Sequence, residues 1–340
     1  MLLYTKTTRV ALREFGIQIP SAPDKTDRIL AALRKHPVLG TCEDAWHLQR
    51  DDTLISREDL LRVHSPAYVE RLFSDELEPA LLEAFELVDA EGKYHRYTPE
   101  TATRRLRELF ENTMRGLAGT YQCCVEALRH GFCFYLGGGA HHAHRDFGHG
   151  FCVVNDSVVA LRRLQAEGRI RTAWVIDVDA HKGDGTAALT EGDPTIRTLS
   201  AHMAEGWPLD GPARNPDGEL RPAFIPSDID VPIRSGEEPE YVARLDTALQ
   251  ELAAWERPDV GLVLCGADPY EEDELPSTQG LSLSLERMNE RDHLVYSFLR
   301  DRGIPAAFLM AGGYGNHAWK PYVQFLTSVL RCKPGSSPSA

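Results

Sequence analysis

Apolar residues recur along this chain with two different spacings, and their alternation predicts its architecture. Stretches with apolar positions three to four residues apart, the signature of one helix face, run from Asp24 to His36 and from Ser65 to Phe73. The second opens with Ser65 as N-cap and Pro66 at the first helical position, where a missing N–H costs nothing. Thr98-Pro99-Glu100 repeats that arrangement ahead of a long amphipathic stretch reaching about His130. Between the helical stretches lie short runs rich in apolar and β-branched residues: Phe132–Leu136, Thr172–Val178, Thr195–Leu199, Val260–Cys265 and Pro305–Met310. Each is separated from the next by room for a helix. This rhythm predicts an α/β fold, a mainly parallel central sheet with helices on both faces. No repeat or linker interrupts it, so residues 1–333 read as one domain and Pro334–Ala340 as a flexible tail.

Four of the apolar runs lead directly into residues with chemistry. Phe132–Leu136 is followed by Gly137-Gly138-Gly139-Ala140-His141-His142, and Thr172–Ile176 by Asp177-Val178-Asp179-Ala180-His181. Val260–Leu264 leads into Cys265-Gly266-Ala267-Asp268, and Pro305–Met310 into Ala311-Gly312-Gly313-Tyr314. Ligands of open α/β sheets bind beyond the carboxyl ends of the strands, so these four loops are expected to meet in one crevice.

Composition narrows what such a crevice can serve. With 37 basic against 51 acidic residues the formal net charge is -14, which argues against nucleic acid or an anionic membrane surface as a partner. No apolar run approaches the roughly 18 to 20 residues of a membrane span, and the first residues lack the apolar core of a signal peptide. The expected location is cytoplasmic. The 7 cysteines are odd in number, irregularly spaced and without a C-x-x-C pair, so neither a disulfide framework nor a zinc finger is expected. Cys123, Cys124, Cys133, Cys152 and Cys265 lie in apolar surroundings and read as reduced core residues.

Asp177, Asp179 and His181 alternate with Val178 and Ala180, so an extended backbone puts all three on one side. Two carboxylates and an imidazole crowded together need a cation among them. Asp268 can add a further oxygen from another strand end. One His and two Asp with an open fourth position describe a catalytic divalent-metal site, since structural zinc sites are closed by four protein ligands. His141 and His142, adjacent after three glycines, offer a base and an acid near neutral pH. Tyr314, at a strand end after two glycines, could stabilise a developing oxyanion. His144 and His149 share the loop of the paired histidines and read as solvated.

These motifs resemble those of the zinc-dependent histone deacetylases and their bacterial relatives, the acetylpolyamine amidohydrolases and acetoin-utilisation proteins. The resemblance extends from His64-Ser65-Pro66-Ala67-Tyr68-Val69 to Trp319. It rests on Gly137–Ala143, Gly150-Phe151-Cys152-Val153-Val154-Asn155-Asp156, Asp177–Thr186, Gly266-Ala267-Asp268 and Gly312-Gly313-Tyr314, in that order. Thr198-Leu199-Ser200 with Ser227–Pro232 is most similar to the class IV-type branch. The resemblance implies a single arginase/deacetylase-type domain that hydrolyses an acylated amine with metal-activated water. Zn²⁺, or alternatively Fe²⁺, would be held by Asp179, His181 and Asp268. His141 and His142 would be oriented by Asp177 and Asp184, and Tyr314 would polarise the scissile carbonyl. Gly150 and Phe151 would line an acyl-lysine tunnel. Asp177, Asp179, His181, Ser200 and Ala201 match the family's site for K⁺ or Na⁺. The implied substrate is an acylated lysine of a protein or an acylated small amine, acetylpolyamines included. A binuclear ureohydrolase of the same fold would need a second ligand set. A non-catalytic acyl-lysine binder would be expected to lose His142 or Tyr314, and both are present.

Three departures bear on the substrate. Lys182 stands where the family often has His or Gln, and is expected to point away from the metal. The run after Gly-Ala-Asp is long and carries Glu271-Glu272-Asp273-Glu274, either a rim attracting cationic substrates or a solvated loop. Between Met203 and Arg221 a Pro- and Gly-rich loop with Trp207 replaces the usual rim.

Overall fold

In the computed structural model, which describes residues 1–4, 11–209, 219, 221 and 224–332, eight strands pair in parallel. They are β1 (Leu2–Leu3), β2 (His47–Leu48), β3 (Phe132–Tyr135), β4 (Ala173–Asp177), β5 (Ile196–Met203), β6 (Ile229–Ile233), β7 (Val260–Leu264) and β8 (Ala306–Leu309). Their order across the sheet is β2-β1-β3-β8-β7-β4-β5-β6. Chain segments far apart in sequence thus lie side by side: β8 sits between β3 and β7, and β7 between β8 and β4. The loops leaving β3, β4, β7 and β8 therefore emerge together at one edge, as the strand-end chemistry requires.

Side chains alternate along each strand between two cores. Phe132, Phe134, Trp174, Ile176 and Phe308 pack with Ile29, Leu245, Val295 and Phe325 from helices Lys25–Lys35, Tyr241–Leu252, Leu285–Asp301 and Lys320–Val329. Cys133, Tyr135, Val175, Leu262 and Leu309 face the other way, onto Val125 and Leu161 of helices Glu108–His130 and Asp156–Ala166. A third cluster, with Phe15, Tyr68, Leu81, Leu109 and Val158, forms beyond the sheet.

The five predicted strands are β3, β4, β5, β7 and β8; three others went unread. β1 and β2 have two residues each, too few to display a period. β6 contains Pro232, which a sheet tolerates at its edge, where the missing N–H has no partner to lose. Helix Pro66–Leu72 begins as expected, with Ser65 Oγ accepting from the Tyr68 N–H at 3.3 Å. The similar signal at Thr98 yields only the short turn Pro99–Thr101, and the long helix starts at Glu108. The Thr98 hydroxyl accepts from Gln18 Nε2 at 2.7 Å instead of capping. No disulfide framework was expected, and the structure has a single disulfide, between Cys42 and Cys332, 290 positions apart. That pair meets only once the fold has formed. The other five are buried and unpaired, as expected. Pro334–Ala340 lies outside the described residues.

Candidate metal centre and active site

Asp179 and His181 follow β4, and Asp268 follows β7. Their candidate ligand atoms all lie within 4.8 Å of one another, and all three residues are buried. His181 Nδ1 faces both carboxylates, 3.2 Å from Asp179 Oδ1 and 3.0 Å from Asp268 Oδ2. Backbone donors fix the carboxylates: His181 N–H bonds Asp179 Oδ1 at 3.1 Å, Gly312 N–H bonds Asp179 Oδ2 at 3.0 Å, and Ala180 N–H bonds Asp268 Oδ1 at 3.0 Å. Gly266 and Gly312 make this closeness possible, because a Cβ at either position would run into both carboxylates.

The electrostatics of the triad call for positive charge. Burial pushes the His181 pKa down, but Asp179 and Asp268 outweigh it and hold it at about 10. Burial and the Asp179 charge raise Asp268 to about 6. A proton on His181 meets the demand of two buried carboxylates, and a divalent cation in the same place would meet it more fully. The donor set, one imidazole and two carboxylates, fits such an ion.

Two histidine–carboxylate pairs flank the triad. His141 Nδ1 lies 2.6 Å from Asp177 Oδ2, and His142 Nδ1 2.7 Å from Asp184 Oδ1. The paired histidines are placed by Asp156, whose carboxylate accepts from Gly139 N–H at 3.0 Å, Ala140 N–H at 2.7 Å and the Thr120 hydroxyl. Burial lowers the His141 pKa, yet Asp177 and Asp179 carry it up to about 9. His142 goes the other way, to about 3, through burial and the neighbouring His141 charge. Two adjacent imidazoles thus prefer opposite protonation states.

A cavity of about 260 Å³ is lined by His141, His142, Asp179, His181, Phe151 and Tyr314 among others. Trp207 lies beside these histidines, its ring centroid 4.5 Å from that of His142 and 5.5 Å from that of His181. Gly150 has φ 57°, and a Cβ there would collide with the Trp207 ring. The Tyr314 phenol is buried among carboxylates, which drives its pKa well up and keeps its proton. The Tyr314 N–H donates to Asp273 Oδ2 at 2.6 Å.

A model of the histone deacetylase domain matches residues 19–330. The chain belongs to the histone deacetylase family. An uncharacterised protein of Picosynechococcus is 30% identical over 208 residues, 61% of this chain and 64% of that one. Histone deacetylase 2 of Arabidopsis thaliana is 27% identical over 259 residues, covering 76% and 61%. The acetoin utilization protein AcuC of Bacillus subtilis is 30% identical over 186 residues, covering 54% and 46%. The chain thus matches less than two thirds of the length of these curated relatives. A crystal structure of a histone deacetylase homologue from Aquifex aeolicus superposes with TM-score 0.68 at 22% identity, covering 96% of this chain and 82% of that one; the likeness is one of fold.

In this histone deacetylase family member, the residues read from sequence as a metal triad and two dyads do lie together. His144 and His149 depart from expectation. They are not solvated loop histidines: their Nε2 atoms lie 3.0 and 2.9 Å from Asp184 Oδ2, so three imidazoles converge on one carboxylate. Lys182 turns away from the triad as expected, but into the interior, where Nζ meets Asp230 Oδ1 at 2.9 Å and the Ser227 hydroxyl. The acidic run is largely committed: Glu272 binds Lys320 and the Tyr270 hydroxyl, Asp273 the Tyr314 N–H, and Glu274 the Asn316 N–H. Asp156, Asp273 and the buried Arg291 went unassigned in sequence, since nothing local to them signals a partner so distant. Among the described residues no helix is long and apolar enough to cross a membrane.

Proposed function

We propose that this chain removes an acyl group from an acylated lysine or related amine by hydrolysing the amide. One divalent ion, Zn²⁺ on the nature of its ligands, would be held by Asp179, His181 and Asp268. The observation that carries the reading is that Asp179 and His181 line one cavity with the two carboxylate-backed histidines and a protonated Tyr314, while Asp268 completes the triad within 4.8 Å of both. When bound, the ion would supply Lewis acidity to the carbonyl and to an attacking water. His142, held unprotonated, accepts the proton of that water and returns it to the departing amine. Asp184 accepts a hydrogen bond from Nδ1–H of His142, which fixes that tautomer and leaves Nε2 as the basic nitrogen. His141 keeps its proton against Asp177 and offers positive charge to the developing oxyanion. The Tyr314 hydroxyl donates to the same oxygen, and Gly150 and Phe151 line the acyl-amine path.

The buried Ser200 hydroxyl lacks a hydrogen-bond partner and pairs in register with Asp177 across β5 and β4. This supports a K⁺ or Na⁺ ion held by Asp177, Ser200 and backbone at Asp179, His181 and Ala201. The catalytic unit is taken as residues 1–333. A ureohydrolase reading is disfavoured, because the second candidate cluster, His142, His149 and Asp184, shares no residue with the triad. The test is turnover on acyl-lysine peptides and acylpolyamines with metal content measured on the same sample. If the metal-loaded protein releases no carboxylate from any of them, the reading is overturned.

A further inference from the structure

Among the described residues, four that are not glycine adopt left-handed backbone: Glu86 (φ 52°), Arg96 (φ 53°), Phe151 (φ 67°) and Ala311 (φ 50°). Side chains disfavour that region, and such strain gathers at ligand clamps. All four border the cavities beside the triad. Phe151 and Ala311 line the cavity of about 260 Å³ already described. Glu86, Arg96 and Phe151 line an adjoining chamber of about 130 Å³, which His142, His181 and Tyr314 also line.

Glu86 and Arg96 stand at the two stems of a hairpin, whose His95 N–H bonds the Leu87 carbonyl at 2.8 Å and whose Asp89 N–H bonds the Lys93 carbonyl at 2.9 Å. Their charges meet across the stems, with Arg96 Nη2 3.4 Å from Glu86 Oε2. Arg96 also lies 5.7 Å from the centre of the Phe151 ring, and its buried Nε has no hydrogen-bond partner. Two strained residues therefore present one anion and one incompletely satisfied cation, side by side, to the chamber that reaches the catalytic side chains.

Resting on the proposed amide hydrolysis, we propose that Glu86 and Arg96 jointly recognise the α-ammonium and α-carboxylate of a free Nε-acylated amino acid such as acyl-lysine. A zwitterion entering between them exchanges one long ion pair for two charge-assisted contacts. The same acyl-lysine inside a peptide carries neither charge at its α-carbon. An acylpolyamine carries only positive charge and leaves Arg96 opposed.

The experiment compares kcat/KM for Nε-acetyl-lysine, for its Nα-acetylated C-terminal amide and for N-acetylputrescine on the metal-loaded enzyme. The free amino acid is expected to be preferred by about tenfold or more, the usual worth of a charged contact. Glu86→Gln and Arg96→Gln should each lower its kcat/KM by about tenfold and leave the blocked form within a factor of about three. Poor folding would lower both substrates alike, so the ratio isolates recognition. Equal use of free and blocked substrate overturns the pairing, as does a loss with Glu86→Gln alone, which points to a polyamine. Should none be turned over, amide hydrolysis fails, and calorimetry with Nε-acetyl-lysine decides the pair separately. Binding weakened by both substitutions supports it; no binding to the parent protein overturns it.

Discussion

Arg291, fully buried, donates from Nη1 to the carbonyl oxygen of Val178 at 2.9 Å, between Asp177, which ends β4, and Asp179 just beyond it. Its charge is balanced by Asp292, whose Oδ1 is 2.8 Å from Arg291 Nε. The strand end that carries the candidate ligands is thus held from beneath by a helix more than a hundred residues further along. Arg291→Met would leave Asp292 buried and unpaired, at a cost of about 3–5 kcal/mol. Denaturant unfolding measures this. The double variant Arg291→Met/Asp292→Leu should recover much of the loss, and an unimpaired single variant would remove the pair from the account.

Asp268→Ala should abolish both metal binding and turnover, because three protein ligands leave none spare. Elemental analysis beside an activity assay reads both. A full equivalent of metal retained with most of the activity would refute the ligand assignment.

Tyr314→Phe should keep its metal and lose about 10² to 10³ in kcat, the usual cost of one oxyanion donor. His142→Ala should lose at least about 10² as its proton transfer disappears. Either variant working at near-normal kcat, pure and metal-loaded, would strip that residue of its role.

Metal affinity should depend on pH with a definite sign. Metal-free His181 holds a proton up to about 10, and binding must expel it. Apparent affinity should therefore rise about tenfold per pH unit from pH 6.5 to 9. Below about 6, Asp268 also takes up a proton, and the dependence should steepen. Calorimetry in buffers of different ionisation enthalpy detects the proton release. A flat affinity across that range would contradict the charge balance of the triad.

Strand ends were readable because their chemistry is local: Asp177, Asp179 and His181 declare a shared side through a period of two, and glycines mark the turns. What the chain hid is what distant segments contribute. His144 and His149 look like any loop histidines until Asp184 arrives from the start of a helix beyond β4. Asp156 looks like a helix-start residue until the Gly139 and Ala140 N–H groups close on it. Thr98 carries a capping signal that a long-range bond from Gln18 overrides. The acidic run read as either a charged rim or a solvated loop; Glu271, Glu272 and Glu274 are exposed, whereas the half-buried Asp273 accepts from the Tyr314 N–H, a bond that nothing local to it announces.

The bond between Cys42 and Cys332 turns almost the whole catalytic region into one covalent ring. A protease that cuts this ring once, wherever it cuts, produces two fragments that remain a single molecule. A nicked chain would migrate intact on a non-reducing gel and fall apart only with thiol present. Damage to an exposed loop would then open the backbone without releasing either half of the sheet.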